Sequence, residues 1–171
     1  MTEHRVGGRA VVRPTARVVV LDPAGRVLLL GARLTDPAVP PGDVLFWYTP
    51  GGGVDPGEGV REAAARELAE EIGLVVDPVQ LEGPVWFRRH VGPFAGVEID
   101  SRETFFVLRD VVHEVDPAGR TELELLGEEP HRWWTVAEIA AADVAFAPRE
   151  LADVLPELLA GPWRRPPRVV D

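Results

Sequence analysis

The stretch GGGVDPGEGVREAAARELAEEIGLVV, residues 51–76, decides the fold of this chain. Its central part carries one apolar stripe at helical spacing, formed by Ala64, Ala65, Leu68 and Ile72. Such a stripe predicts a helix over residues 60–72 that packs one side against a sheet. Gly73 follows the stripe and is typical of the left-handed residue that ends a helix. The stretch therefore predicts a loop, a helix and a second loop.

Three glutamates occupy a second face of this helix. Glu67, Glu70 and Glu71 stand at i, i+3 and i+4, with no arginine or lysine among them. Like charges at these spacings destabilise an exposed helix by roughly 0.2–0.5 kcal/mol per pair. A hard divalent cation such as Mg²⁺ removes this repulsion, because oxygen atoms are the ligands that it prefers. The pattern indicates either a metal site or, as for many glutamate clusters, a solvated acidic face.

Glycines precede the helix in TPGGGVDPGE, residues 49–58. Glycine lets backbone groups approach a ligand or a metal ion closely, because it has no Cβ atom. Gly51, Gly52 and Gly53 are therefore predicted to contact the substrate where the chain enters the helix.

Charge and composition exclude several kinds of chemistry. The formal net charge of -10 repels long polyanions such as DNA, whereas a small phosphorylated ligand remains compatible with a local cation. The chain has no cysteine, which excludes disulfides, a thiolate nucleophile and cysteine-based zinc sites. All 18 basic residues are arginine, so a lysine Schiff base is excluded as well.

The hydrophobic runs are too short for a membrane helix, which needs roughly 18 to 20 apolar residues. The first ten residues lack the apolar segment of a signal peptide. We therefore expect a cytoplasmic protein without a membrane partner.

The order of sequence patterns predicts one domain. Residues 1–12 are expected to form a flexible arm, residues 13–160 a single domain, and residues 161–171 a proline- and arginine-rich tail without regular structure. The motif DPAGR at residues 22–26 and 116–120 predicts two hairpin turns between β-branched or leucine-rich runs.

Strand patterns lie on both sides of the central helix, and helical patterns return over residues 135–146 and 147–160. Residues 34–44 carry three prolines and are expected to form an irregular surface loop. These patterns predict a mixed α/β (α+β) sandwich.

The glycines, the glutamates and one arginine together match a known motif. Gly52, five residues, Glu58, seven residues and then RELAEEIGL at residues 66–74 reproduce the Nudix box at every specified position. The chain therefore resembles the Nudix hydrolase superfamily. The segments ARVVVLDPAGRVLLL, WYTPGGGVDPGE and RWWTVAEI also stand in the expected order, so the resemblance covers residues 13–159.

The resemblance implies an α/β/α sandwich around a mixed sheet, with the box as a loop-helix-loop motif. It also implies Mg²⁺-dependent hydrolysis of a nucleoside diphosphate linked to another moiety, with Mn²⁺ as a substitute. The implied metal ligands are Glu67, Glu70, Glu71 and the Gly52 carbonyl. The implied catalytic residues are Glu70 and Glu71, together with Arg66, which orients a carboxylate, and Glu58, which braces the loop or positions water.

The general base varies within this superfamily, and many members use a glutamate outside the box. Glu103 is our candidate, with Glu98 and Asp100 as rivals. The alternative for Glu103 is a polar residue at the start of a strand.

Candidates for further substrate contacts are aromatic or basic. Trp47 and Tyr48 precede the glycines and are candidates for stacking on a base, although strand aromatics commonly pack inward. Arg33, Arg88 and Arg89 are candidates for phosphate contacts, with a solvated strand face as the alternative. We predict that Trp47 and Arg33 bind the substrate.

Three other functions compete with hydrolysis of a small nucleotide. An isomerase of isopentenyl diphosphate is excluded, because such relatives use a catalytic cysteine. A nucleotide sensor without catalysis and an RNA 5'-end pyrophosphohydrolase remain as alternatives. The candidate substrates are nucleoside triphosphates, ADP-ribose, nucleotide sugars and dinucleoside polyphosphates. A homodimer, common among such proteins, is a further expectation.

Overall fold

Strands dominate the fold in this computed structural model, which describes residues 10–33, 44–94, 96–115 and 130–171. In those residues the strands are β1 Val11–Val20, β2 Val27–Ala32, β3 Phe46–Tyr48, β4 Gly51–Gly53, β5 Glu82–Phe94, β6 Val97–Leu108, β7 His131–Trp134, β8 Ala145–Ala147 and β9 Arg168–Val169. The helices are α1 Val60–Ile72, α2 Val136–Ala141 and α3 Leu151–Leu159, with a 3₁₀ turn at Pro78–Gln80. Within the same ranges no helix combines the length and the apolarity that crossing a membrane requires.

The strands form two mixed sheets. The first has the order β4-β1-β6-β5-β9 and the second the order β7-β2-β3-β8. β1 runs parallel to β6 and antiparallel to β4, so the glycine strand lies along one edge of the first sheet. A bridge between Leu21 and Val27 joins β1 to β2 and thus connects the two sheets.

Alternate side chains of β1 pack into two separate hydrophobic clusters. Val18 and Val20 pack in a cluster with Leu68 of α1, whereas Val19 packs in a cluster with Leu151 of α3. Because successive residues of a strand point to opposite faces, the sheets lie between α1 and the C-terminal helices. This arrangement confirms the predicted α/β/α sandwich.

Helix α1 ends as its sequence predicts. Gly73 adopts φ 70°, and its N–H donates to the Ala69 carbonyl while the N–H of Leu74 donates to the Leu68 carbonyl. These bonds satisfy carbonyl groups that the last turn of a helix leaves free. The apolar stripe on α1 is buried, and the small alanines in it let the helix lie close to β1 and β4.

The first DPAGR motif forms the predicted turn. The Asp22 carboxylate accepts hydrogen bonds from the backbone N–H groups of Ala24 and Arg26, and Gly25 adopts φ 77°. The second DPAGR motif at residues 116–120 lies outside the described residues, as does most of the loop predicted over residues 34–44.

Three element boundaries differ from the predictions. The helix predicted over residues 135–146 ends at Ala141, and β8 then pairs with β3. The prediction of an irregular tail is wrong for Arg168–Val169, because β9 pairs with β5. β1 begins at Val11, inside the segment expected to be an arm. The division into arm, domain and tail otherwise stays a prediction.

Arg109 connects the end of β6 to the C-terminal segment. Its guanidinium donates to both carboxylate oxygens of Glu82, at 2.9 and 3.2 Å, and to the carbonyls of Leu158 and Gly161, at 2.6 and 2.8 Å. Glu82 also accepts a hydrogen bond from the backbone N–H of Trp163. One guanidinium thus holds α3 and the start of the tail against the first sheet.

We expect Arg109→Leu to lower the free energy of unfolding by about 2–4 kcal/mol, because it removes the ion pair with Glu82 and the donors to two carbonyls. Burial acts to raise the pKa of Glu82, but the hydrogen bonds from Arg109 and Trp163 lower it overall. The resulting stabilisation is present above the pKa of an unfolded glutamate and is lost as the pH falls through the lower folded pKa.

Denaturant unfolding of both proteins between pH 3 and pH 7 tests this prediction, with Arg164→Leu on the exposed tail as the control. The loss of stability should be largest at pH 7 and should shrink in acid. Equal stability of Arg109→Leu and wild type at pH 7 would show that Arg109 does not hold the tail.

Candidate active site

The glycines of β4 pack closely against both β1 and α1. Gly51 adopts φ 141°, and a Cβ atom there would lie 2.1 Å from the Ala16 carbonyl oxygen of β1. A Cβ atom on Gly52 would lie 2.5 Å from Oε1 of Glu67. The backbone of β1 therefore requires glycine at position 51, whereas a side chain at position 52 would displace the Glu67 carboxylate.

The three box glutamates differ in exposure and in partners. Glu67 and Glu71 are buried, whereas Glu70 is exposed; the side-chain exposure is 12% for Glu67 and 49% for Glu70. Oε2 of Glu71 accepts a hydrogen bond from the Gly51 backbone N–H at 2.7 Å. The carboxylates of Glu67 and Glu70 both accept from Nη1 of Arg66, at 2.9 and 3.2 Å.

Arg66 connects the glycine loop to the acidic face. Its Nε and Nη2 each donate to one carboxylate oxygen of Glu58 at 2.9 Å, and Nη2 also donates to the Gly53 carbonyl at 2.8 Å. The hydrogen bonds from Arg66 and from the Asp55 backbone N–H lower the pKa of Glu58 to about 2. Glu58 is therefore a charged brace over the whole physiological pH range.

The acidic face offers carboxylate oxygens, the type of ligand that a divalent cation prefers. Burial raises the pKa of Glu67, and the hydrogen bond from Arg66 offsets this only in part. Within the described residues no three carboxylate or imidazole groups converge as metal ligands. The carboxylates of Glu67 and Glu70 instead accept hydrogen bonds from Arg66, and the carboxylate of Glu71 accepts one from a backbone N–H. Carboxylate oxygens held at low exposure suit a hard cation, which would compensate their buried charge.

A cavity of about 720 Å³ opens beside this face. Its wall includes Gly51, Gly52 and Gly53 and the carboxylates of Glu67, Glu71 and Glu103. Its basic residues are Arg13, Arg17, Arg88, His90 and Arg149. Its aromatic residues are Phe46, Tyr48, Phe105 and Phe146. The cavity therefore combines groups that suit a cation, phosphate oxygens and an aromatic base.

We expect Gly52→Ala to lower turnover at least about tenfold while changing the free energy of unfolding little. The new Cβ atom must displace the Glu67 carboxylate, which is the end of a flexible side chain. Steady-state kinetics of the variant measures its turnover, and thermal unfolding measures its stability. Unchanged turnover would show that the position of the Glu67 carboxylate does not matter for activity.

The structure places Glu103 at the cavity and its two rivals elsewhere. Glu103 lines the cavity and is buried, with Arg17 and Arg88 as ion-pair partners. Asp100 is bound by Arg89 and Arg102 and does not line the cavity. Glu98 is exposed and does not line it either.

Two predicted substrate contacts need correction. Trp47 packs in the hydrophobic core, with its ring centroid 5.1 Å from that of Trp134, whereas its neighbours Phe46 and Tyr48 line the cavity. Alternation along a strand explains this, because residues 46 and 48 share a face that residue 47 does not. Arg33 does not line the cavity.

The sequence pattern did not single out Arg13 and Arg17 of β1 as site residues, and it left Arg88 of β5 undecided. Arg13 and Arg17 line the cavity together with Thr15, which stands between them on the same face of β1. Arg17 reaches from Glu103 to the Gly51 carbonyl, to which Nη1 donates at 2.7 Å. The alternation Arg-x-Thr-x-Arg was the signal for a polar strand face.

The comparisons with known proteins agree with this geometry. The chain matches the model of the NUDIX domain over residues 11–155. An RNA pyrophosphohydrolase of Cereibacter sphaeroides is 35% identical over 148 residues, which span 81% of this chain and 85% of that protein. An RNA pyrophosphohydrolase of Dinoroseobacter shibae is 40% identical over 83 residues, which span 47% of this chain and 48% of that protein, or about half its length.

Among solved structures, the MutT protein from Methanosarcina mazei Go1 superposes with a TM-score of 0.61 and 19% identity. The match covers 91% of this chain and 100% of that chain. At this identity the similarity shows a shared fold.

Proposed function

The chain belongs to the NUDIX hydrolase family, and on this premise we propose that it hydrolyses the diphosphate linkage of a small nucleotide with a bound divalent cation, Mg²⁺ or Mn²⁺. The proposed substrate is a nucleoside diphosphate linked to another moiety, such as a nucleoside triphosphate or ADP-ribose. The observation that carries this proposal is a single cavity whose wall includes Glu67 and Glu71 together with four arginines.

Glu67, Glu70 and Glu71 are the side chains that would hold the cation, and the Gly52 carbonyl is a further candidate ligand. When bound, such an ion neutralises phosphate charge and makes a bound water more acidic. The Gly51 N–H orients the Glu71 carboxylate, and Arg66 orients that of Glu67.

Water attacks a diphosphate slowly because the phosphate oxygens are negatively charged. The arginines of the cavity reduce this repulsion by binding those oxygens, while the protein holds the reacting groups in place. A carboxylate of the acidic face accepts the proton of the attacking water.

Surface charge favours a small nucleotide over a polymer, and the cavity is large enough for a small ligand. A volume of about 720 Å³ falls within the usual range of small-molecule pockets. Phe46 and Tyr48 line the cavity and are candidates for stacking on a base, which contributes roughly 1–3 kcal/mol per base. The net charge of -10 disfavours the phosphate backbone of a long RNA.

Removal of pyrophosphate from an RNA 5' end is the second candidate function. The relatives named RNA pyrophosphohydrolase favour it, one of them at 35% identity over most of both chains. Only the RNA end need enter the cavity, so cavity size does not separate the two substrates.

Incubation of the purified protein with Mg²⁺ and a substrate panel tests the proposal, with products identified by chromatography and mass spectrometry. The panel contains nucleoside triphosphates including oxidised ones, ADP-ribose, nucleotide sugars, dinucleoside polyphosphates and a 5'-triphosphorylated RNA. We expect a nucleoside monophosphate and its partner from one small-nucleotide class, with KM depending weakly on salt. Cleavage of RNA alone, with a steep salt dependence, would establish the second candidate.

Tight binding of one nucleotide without turnover would overturn the proposal and indicate a nucleotide sensor. The complete box argues against a sensor, because a protein that only binds nucleotide does not need all three glutamates. A cytoplasmic location and a homodimer remain further proposals, which cell fractionation and analytical ultracentrifugation test.

A further inference from the structure

We propose that Glu103 is a positioning residue, which holds Arg17 and Arg88 so that they bind the phosphates of the substrate, and that it is not the general base. This inference rests on the proposed function, because it concerns the same cavity. It assigns the two arginines to substrate binding and removes a proton-transfer role from the carboxylate between them.

The topology places Glu103 between its two partners. Glu103 lies on β6, in register with Thr15 of β1 on one side and with Arg88 of β5 on the other. It is 7% exposed, so its negative charge is held away from bulk solvent. A buried carboxylate is costly unless it is paired, and Glu103 has two cationic partners.

Both oxygens of this carboxylate are engaged by guanidinium groups. Oε1 accepts from Nε of Arg17 at 3.3 Å, and Oε2 accepts from Nη1 of Arg88 at 3.0 Å. A general base needs an oxygen that faces the attacking water and readily takes its proton. Each oxygen of Glu103 accepts an arginine donor, which suits a fixed anchor.

Arg88 retains a donor for a ligand. Its side chain is 10% exposed, and its Nε is buried without a hydrogen-bond partner in the described part of the chain. The Thr49 hydroxyl, also on the cavity wall, is likewise buried and unpaired among the described residues. Six side-chain atoms are buried without a partner in the described residues, and only these two belong to residues of the cavity wall, where a bound ligand would supply acceptors.

Arg17 is held on several sides at once. Besides Glu103, it donates through Nη1 to the carbonyls of Gly51 and Thr49, at 2.7 and 3.4 Å. Its guanidinium also lies over the Tyr48 ring, 5.5 Å from the centroid. These contacts orient Arg17 before a substrate binds, which reduces the entropy lost on binding.

The charges of this cluster leave an excess of positive charge at the cavity. Arg17 and Arg88 carry two positive charges against the single negative charge of Glu103. A phosphate oxygen compensates this excess and accepts the hydrogen bond that Nε of Arg88 lacks. Phosphate oxygens therefore fit the cluster better than a neutral group does.

Binding of a non-hydrolysable nucleoside triphosphate analogue, measured by calorimetry, tests the proposal without requiring turnover. We expect Glu103→Gln and Arg88→Leu to weaken binding about tenfold each, and the double variant to be little weaker than either single variant. The matched controls Asp100→Asn and Arg89→Leu alter a neighbouring carboxylate–arginine pair that does not line the cavity, and should bind like wild type.

Kinetics separate positioning from proton transfer. If the wild type turns over a substrate, Glu103→Gln should raise KM about tenfold, leave kcat within about threefold and keep the shape of the kcat–pH profile. A fall in kcat of a hundredfold or more with unchanged KM, and loss of the acidic limb of the profile, would establish Glu103 as the base and overturn the proposal.

Two other results also overturn it. One is a lower melting temperature of Glu103→Gln with unchanged affinity, which indicates a structural role alone. The other is wild-type affinity in Arg88→Leu, which also decides the question if Glu103→Gln does not fold. Analogue binding that depends on Arg88 and Glu103, without turnover of any substrate, supports the positioning role and removes only the proposed hydrolysis.

Discussion

Glu70→Gln and Glu71→Gln should each lower turnover at least about a hundredfold, while thermal stability without metal stays unchanged or rises. Glutamine has nearly the shape of glutamate but lacks its charge, so it is a weak ligand for a hard cation. In Glu71→Gln the amide oxygen can still accept the hydrogen bond from the Gly51 N–H. The loss therefore reports on charge at the acidic face and not on local unfolding.

Relief of repulsion explains the expected stability. Glu67, Glu70 and Glu71 lie on one helix face, where removing one negative charge reduces the repulsion between the others. Glu62→Gln is the matched control, since Glu62 is exposed on the same helix and does not line the cavity. Steady-state kinetics on the substrate identified by the panel checks the prediction. Activity that survives both substitutions would refute the assignment of the metal site.

Gly51→Ala should destabilise the protein by about 3 kcal/mol or more, the largest structural effect that we expect from a single methyl group. Two causes add. The backbone at φ 141° is strained for any residue with a Cβ atom, and that atom would lie 2.1 Å from the Ala16 carbonyl oxygen. Since the obstacle is strand backbone, β4 must move away from β1, and Glu71 then loses its backbone donor.

Gly57→Ala is the control that separates these causes. Gly57 also has a positive φ, 82°, but no atom lies within 4 Å of the position that a Cβ atom would take. Backbone strain alone should destabilise this variant by about 1 kcal/mol. Denaturant unfolding gives both values, and equal losses in the two variants would contradict close packing of β4 against β1.

The motif helix was predictable because its signals are local. The apolar stripe, Gly73 at its end and the glycines before it lie within one short stretch, and each has a direct structural meaning. The structure places Arg66 against Glu58 and the Glu67 carboxylate against Gly52, as the spacing of the box suggests. The roles of these residues in catalysis stay predictions.

The remainder of the site depends on contacts between distant parts of the chain. Arg17, Arg88 and Glu103 meet because β1, β6 and β5 are neighbours, and no local pattern specifies that strand order. The strand β9 in the tail also depends on a contact between distant parts of the chain, since Arg168 pairs with Trp86. The position of Trp47 was predictable from the sequence, because successive side chains of a strand point to opposite faces and Trp47 therefore does not share a face with Phe46 and Tyr48.

Calorimetric titration of the metal-free protein with Mg²⁺ and Mn²⁺ tests most directly whether the acidic face of α1 is a metal site. The variants Glu67→Gln and Glu71→Gln are compared with wild type and with Glu62→Gln. We predict that wild type and Glu62→Gln bind the ion alike and that the other two variants bind at least about tenfold more weakly. Equal binding by all four proteins, or no binding by the wild type, would contradict the proposed site.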